Sequence, residues 1–448
     1  MFSKDIYIQR RRILASRIGK GIILLPGNRE LGINYRDNHY PFRQDSTFLY
    51  YTGIDLPDLV FVMDLDRGKE YIYGEEQSLE DTVWTGPLPS LLSMAEKSGV
   101  EQVCRLSSLK DVLKGGSAIH YLPPYRADVD LLLKSWEVSE KPSVELIQAV
   151  VLQRSYKQAE EIIQIEQAIG VSVAMQKKAM ELALPGIRES EIAAQLQAIA
   201  VSEGGNLAFP TILTVNGQFL HNHASHQVLQ NGQMVLCDCG AENQMHYAGD
   251  LTRTFPVSGA FTSRQKEIYN IVLNAHESAI AALRPGKLFK EVHLLACEQL
   301  ASGLKAIGLM KGDPKEAVAQ GAHALFFQCG LGHMMGLDVH DMENLGEQYV
   351  GYTPDLQKST EFGLKSLRLG RALEQDFVLT VEPGIYFIPQ LIEQWKAIGK
   401  HADFINYEAV EAYKGFGGIR IEEDFLITAT GSCLLGTPLS KRIEEIEH

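Results

Sequence analysis

At 448 residues the chain is too long for one ordinary hydrophobic core, so two domains are expected. Hydrophobic residues at 45% and charged residues at 22% describe a soluble globular protein and exclude a disordered one. A net charge of −14 excludes nucleic acid as a partner, since phosphate recognition needs a basic face, and is ordinary for a cytoplasmic enzyme.

Taken from the amino terminus, Arg10-Arg11-Arg12 is followed by no long apolar run, so Met1–Lys20 does not read as a signal peptide. Ile22–Leu25 is too short to span a membrane. From about residue 20 to 140 short strands alternate with helical patterns. Gly21–Leu25, Leu59–Met63, Tyr71–Tyr73 and Ala118–Leu122 are the expected strands, the last ended by Pro123-Pro124. These make a small α/β domain, residues 1–150. It holds no titratable residues at ligand spacing and is assigned to scaffolding, assembly or substrate gating.

A long helix is expected from Gln158, with Ile162, Ile163, Ile165, Ile169 and Val173 on its apolar face, which begins a second domain, residues 151–448. That helix ends at Leu184-Pro185-Gly186, and another follows with Ile187, Ile192, Leu196 and Ile199. The device recurs in a helix from Gln265 to Leu283, then Arg284-Pro285-Gly286, then a helix carrying Leu288, Val292, Leu295 and Leu300. Each unit precedes strand-rich sequence with acidic residues. The repetition reads as two α/β halves related by pseudo-symmetry, with coincidence as the alternative because Pro-Gly after a helix is common.

Between the helix pairs, Val235–Gly240 and Tyr247–Phe255 flank a polar break at Glu242–Met245 and read as a β-hairpin. A register symmetric about Gln244 sets Asp238 directly opposite Asp250, with Cβ atoms roughly 5 Å apart. Two carboxylates so placed among apolar neighbours repel, and a proton or a cation must sit between them. An exposed hairpin with solvated aspartates is the plain alternative. The six cysteines (Cys104, Cys237, Cys239, Cys297, Cys329, Cys433) lack framework spacing and read as reduced thiols. Cys237 and Cys239 look like half a metal site, but alternation points both away from the Asp238 face and into the core.

Further along, glycines flank His333 in Gly330–Asp341 and permit close backbone approach; His340 follows. A core or surface histidine is the ordinary alternative. Phe377–Glu382 is an expected strand ending at Glu382-Pro383-Gly384. Gly418–Phe425 is another, with Arg420, Glu422 and Asp424 on one face. Acids planted in apolar strands are expensive unless compensated.

Asp238, Asp250, His333, Glu382 and Glu422 together supply one imidazole and four carboxylates, whose charge balances two divalent cations. Such a pair traps a water between its metals, lowers its pKa and polarises a substrate carbonyl. Oxygen-rich donors with one imidazole favour manganese, with cobalt or zinc as other occupants.

The chain resembles the Xaa-Pro peptidases (aminopeptidase P and prolidase) of the creatinase/methionine-aminopeptidase, or pita-bread, superfamily. The resemblance rests on Phe42–Ser46, Tyr247–Pro256, Gly330–Asp341, Thr380–Tyr386 and Gly418–Asp424, and covers nearly the whole chain. It implies a pita-bread catalytic domain with pseudo-two-fold duplication behind a smaller creatinase-like α/β domain. It also implies that Asp250 and Glu422 bridge two metals, that Asp238 completes one coordination sphere, and that His333 with Glu382 completes the other. Glu382 would take a proton from the bridging water as it attacks. His221 and His340 would contact the substrate and the collapsing intermediate. Arg420 would lie beside the site and pair with Asp37 of a neighbouring subunit, in a homodimer or homotetramer.

Two departures stand out. Members carry a histidine four residues before the ligand histidine, where this chain has Cys329, expected to line the substrate pocket. The spacing from Asp238 to Asp250 is one residue longer than usual, which a wider hairpin loop absorbs. The implied activity is a two-metal, manganese-dependent aminopeptidase that cleaves peptides with proline in second position. A dipeptide-restricted prolidase is the near alternative, favoured by a prolidase-like insertion between Phe387 and Gly418. A metal-free creatinase-like hydrolase or an interaction module is the remote one. No nucleic acid and no membrane is expected as a partner, and the compartment is read as cytoplasmic.

Overall fold

The computed structural model describes residues 1–257 and 259–447, which form two compact units. The first comprises Met1–Arg154 with the short segment Met342–Tyr349. Its elements in order are α1 (Lys4–Ile18), β1 (Ile22–Pro26), α2 (Ser46–Thr52), β2 (Val60–Asp64), β3 (Lys69–Tyr73), α3 (Leu79–Thr85), α4 (Leu91–Ser98), β4 (Gln102–Cys104), α5 (Leu109–Leu113), β5 (Ile119–His120), α6 (Ala127–Ser135) and α7 (Val144–Ser155). The five strands form one mixed sheet ordered β4-β3-β2-β1-β5. Strand β4 is an addition to the sequence reading; three residues are too few to show alternation. The sheet's apolar core includes Ile22, Leu24, Val60, Val62 and Tyr73. Arg11 is buried here as well, its guanidinium held by Glu70 and by the carbonyls of Tyr51, Ser98 and Gly99.

The second unit begins with α8 (Ala159–Leu182) and α9 (Glu189–Ser202), then β6 (Asn206–Leu207), β7 (Ile212–Thr214), β8 (Met234–Cys239), β9 (Ala241–Glu242) and β10 (Leu251–Pro256). A second helix pair follows, α10 (Ser263–Ala282) and α11 (Phe289–Ala306), and then α12 (Pro314–Ala319) and α13 (Glu347–Val350), the latter shared with the first unit. The chain ends with β11 (Val378–Val381), β12 (Gly384–Tyr386), α14 (Pro389–Ala397), α15 (Tyr407–Glu411), β13 (Gly418–Arg420), β14 (Glu423–Ile427), β15 (Ser432–Leu434) and α16 (Ile443–Ile446). Among the described residues, no helix is long and apolar enough to cross a membrane.

Duplication is written into the backbone of this unit. After each helix pair's first member, a glycine turns with positive φ, Gly186 at 96° and Gly286 at 80°. Each glycine's amide then donates to a distant carbonyl, Gly186 to Leu229 at 2.9 Å and Gly286 to Leu373 at 2.8 Å. The residue two beyond each, Arg188 and Leu288, makes an isolated antiparallel bridge, to Val228 and Ala372. Strands β8 and β11 start five residues after Leu229 and Leu373, so Asp238 and Glu382 occupy matching places in the two halves. A chance repetition of Pro-Gly would not reproduce these pairings.

Ile163 departs from expectation and is 52% exposed, while Ile165, Ile169 and Val173 are buried. The face of α8 is set by a three-and-four spacing, and Ile163 falls about 100° from its neighbour Ile162, outside the stripe. The helix lies so close to the hairpin that a Cβ on Gly249 would meet the backbone of Ile169 at 2.7 Å. Buried Gln176 on α8 donates to the carbonyls of Cys237 and Leu251, tying the helix to both strands.

Candidate metal centre

The hairpin carries the first correction. Strand β10 pairs with β8 so that Asp238 faces Thr252 and Cys239 faces Leu251. The register therefore centres on Met245, not Gln244, and Asp250 lies on the same face as Asp238 but diagonal to it. The loop decides this. Asn243 donates to the Tyr247 carbonyl, His246 takes the left-handed region at φ 65°, and Asn243 Oδ1 caps the amides of Met245 and Tyr247. Asparagine's readiness to close such turns outweighs the symmetry of the flanking apolar runs. Cys237 and Cys239 are fully buried in the core, with sulfurs 3.9 Å apart.

Gly418–Phe425 is likewise not one unbroken strand. Strand β13 runs antiparallel to β12, and β14 to β11, with a break at Ile421–Glu422. One register spans both pairs, since Val381 faces Glu423 and Gly384 faces Arg420. Glu382 therefore stands directly across from Glu422. At the break the Glu422 amide turns away and donates to the Thr252 carbonyl at 3.1 Å. The break thus joins the strands of one half to those of the other.

His333 arrives along the free edge of β11, where Met334 bridges Leu379 and the Thr380 amide donates to the His333 carbonyl. Gly332 is required for that approach, because a Cβ there would meet the Thr380 carbonyl oxygen at 2.0 Å. His333 Nε2 lies 3.4 Å from Asp250 Oδ2 and 3.8 Å from Glu382 Oε1. One ligand atom each from Asp250, His333 and Glu422 lie within 4.8 Å of one another.

Asp238, Asp250, His333, Glu382 and Glu422 all line one cavity of about 330 Å³, together with His221, Cys329, His340 and Arg420. His221 is exposed at its mouth, and desolvation with the nearby Arg420 charge lowers its pKa. His340 sets its ring against His333, with centroids 4.3 Å apart at 66°. Cys329 lies 3.9 Å from the Tyr386 hydroxyl, and burial, with Glu382 nearby, pushes its thiol up to about 12. Arg420 spends its guanidinium within its own chain. Nε donates to Thr252 Oγ1 and Nη1 to the Tyr386 hydroxyl, both at 3.0 Å, while Nη2 pairs with Asp238.

The electrostatics ask for cations. Burial drives Asp250 and Glu422 well above the carboxylate range, and the surrounding acids push both further. Glu382 is raised for the same first reason, with His333 and Arg420 opposing. Behind them Asp424, also raised by burial, accepts from the Asp250 amide at 3.2 Å. Asp238 Oδ1 and Asp250 Oδ1 are buried without a protein hydrogen-bond partner. Orphaned oxygens converging with an imidazole fit hard or borderline divalent cations, which neutralise the cluster and fill its lone pairs.

Several residues at the site escaped the sequence reading. Thr252 donates its hydroxyl to Glu422 Oε2 at 2.6 Å, and its place two residues from Asp250 on the same strand face would have pointed to it. Arg368, Phe209 and His223 line the cavity itself, but they come from irregular segments without periodicity and gave no signal.

Comparison with known proteins follows the same lines. The model of metallopeptidase family M24 matches residues 163–429, and that of the aminopeptidase P N-terminal domain matches residues 7–118. A Xaa-Pro aminopeptidase of Escherichia coli (strain K12) is 31% identical, over 99% of this chain and 97% of its own. A Xaa-Pro dipeptidase of Homo sapiens is 30% identical, over 99% of this chain and 92% of its own. Among solved structures, aminopeptidase P from E. coli with the inhibitor Pro-Leu matches with a TM-score of 0.82 and 31% identity, over 99% of this chain and 97% of that one.

Proposed function

The chain belongs to metallopeptidase family M24, and from that premise we propose a metal-dependent Xaa-Pro aminopeptidase that releases the first residue of peptides with proline second. The carrying observation is the convergence of four carboxylates and one imidazole, two acids from each pseudo-symmetric half, on a single cavity. Asp238, Asp250, His333, Glu382 and Glu422 would hold the divalent cations. Bound there, the cations polarise the scissile carbonyl and make water acidic enough to attack near neutral pH.

The remaining roles belong to the chain itself. Glu382 accepts the proton of the attacking water, as a carboxylate at the cavity wall beside His333. His340 and His221 donate to the substrate and to the oxygen on which negative charge develops. Arg420 pairs with Asp238 and aims it, while its contacts to Thr252 and Tyr386 keep it from swinging. Phe209, Leu220 and Val339 give the cavity an apolar wall for the proline ring.

The donor set, oxygen-rich with one imidazole, supports manganese as the working metal. Six free cysteines support a reducing, cytoplasmic setting. The homodimer or homotetramer implied by the resemblance is checked by light scattering. Residues 1–150 are read as the creatinase-like domain and 151–448 as the catalytic one.

A second reading, the dipeptidase, is supported by Arg368, a guanidinium in the same cavity that could meet the free carboxylate of a dipeptide. Hydrolysis of Gly-Pro against Gly-Pro-Pro-Ala with manganese added separates the two. Cleavage of both supports the aminopeptidase, cleavage of Gly-Pro alone the dipeptidase, and cleavage of neither refutes both.

A further inference from the structure

A second set of ligand atoms lies in the same unit, on a helix and a neighbouring turn, with different chemistry. His293 and Cys297 stand one turn apart on the buried face of α11, and His323 joins them from the 3-10 turn Ala322–Leu325. One ligand atom from each lies within 4.8 Å of the other two. All three side chains are enclosed, at 0%, 0% and 3% exposure. Cys297 Sγ and His293 Nε2 are 3.5 Å apart. That matches the edge of a tetrahedral zinc site, about 3.3–3.8 Å for the usual zinc–nitrogen and zinc–sulfur bonds.

The polar accounting at this place does not close with protein groups alone. His293 Nδ1 and both ring nitrogens of His323 are buried with no protein hydrogen-bond partner. The Val318 carbonyl faces His323, but too loosely to complete a hydrogen bond. Buried imidazoles normally find a partner. Desolvation holds both rings neutral, His293 near 3 and His323 near 4, and neutral imidazole is the form that ligates. Two imidazoles and a thiol are a poor set for manganese, magnesium or calcium and a good one for a borderline or soft ion.

We propose that His293, Cys297 and His323 form a third metal site that takes one zinc ion and serves structure. The ion displaces the Cys297 proton to solvent and bonds the resulting thiolate, so charge and atoms balance. Its place gives the site a task. The ring of His293 packs on Phe327 at 5.5 Å, and Phe327 lies two residues before Cys329 on the segment that leads to His333. Zinc there fastens α11 to the turn from which the catalytic cavity's wall continues.

The test is to express the full chain with cobalt as the supplied metal and record its absorption and metal content. The expected result is a thiolate-to-cobalt charge-transfer band in the near ultraviolet, which the oxygen and nitrogen donors of the carboxylate centre do not give. Cys297→Ser should lose that band and one metal per chain, while Cys329→Ser should keep both. A wild-type chain without the band, a band that survives Cys297→Ser, or a band lost in Cys329→Ser overturns the proposal. Should Cys297→Ser fail to fold, the wild-type and Cys329→Ser spectra still decide it.

Discussion

Glu422 and Glu423 are neighbours in the chain, almost equally buried at 2% and 3%, yet the fold treats their charges in opposite ways. Glu423 faces cations built into the protein. Arg253 Nη2 lies 2.7 Å from one oxygen and Lys441 Nζ 2.6 Å from the other. Glu422 faces the cavity among Asp238, Asp250 and Glu382, and its oxygen is held by the Thr252 hydroxyl. Buried charge must be compensated in either case. For Glu423 the compensation comes from side chains of the protein itself, and for Glu422 it must come from solution. Glu422 stands in the break between β13 and β14, and Glu423 opens the strand that follows it.

The largest test of that contrast is removal of divalent metal. Chelation should abolish peptide hydrolysis, and manganese should restore it best, as followed by proline release with elemental analysis alongside. Full activity in a chain shown to be metal-free would overturn the reading of the Glu422 side.

Next is Glu382→Ala, expected to lower kcat by about 10²–10⁴-fold, the usual loss for a general base, while circular dichroism stays native. A wild-type rate in this variant would remove Glu382 from the reaction. On the other side of the strand, Glu423→Gln should cost about 3–5 kcal/mol of stability, because it leaves buried Arg253 without its counter-charge. Metal stoichiometry should not change. Urea denaturation with metal analysis checks both halves of that expectation, and a variant that loses metal without losing stability would erase the distinction between the two glutamates.

The smallest effect belongs to Cys329→His. Cys329 opens onto the cavity and also packs against the core, so an imidazole there restores a donor without touching a carboxylate. One added hydrogen bond, about 0.5–1.5 kcal/mol, should raise kcat/KM on Xaa-Pro peptides by up to about tenfold. Metal content should stay constant. Unchanged kinetics on short and long substrates would show that the thiol only packs.

What the sequence determined by itself was local: periodicity, donor type and turn chemistry. The helices with Pro185-Gly186 and Pro285-Gly286 between them, the alternation that sends Cys237 and Cys239 inward, and the acids in apolar strands all follow from neighbours a few residues apart. What only the tertiary structure decided depends on long-range geometry. A single left-handed residue, His246, moves the hairpin register from Gln244 to Met245 and turns an opposed pair of aspartates into a diagonal one. Arg420 finds Asp238 across 182 positions of chain, and His323 comes beside Cys297 from a separate turn. Pattern within a strand fixes which face a residue occupies. Only packing between distant segments fixes what stands on the other side of that face, and there the compensation of charge is settled.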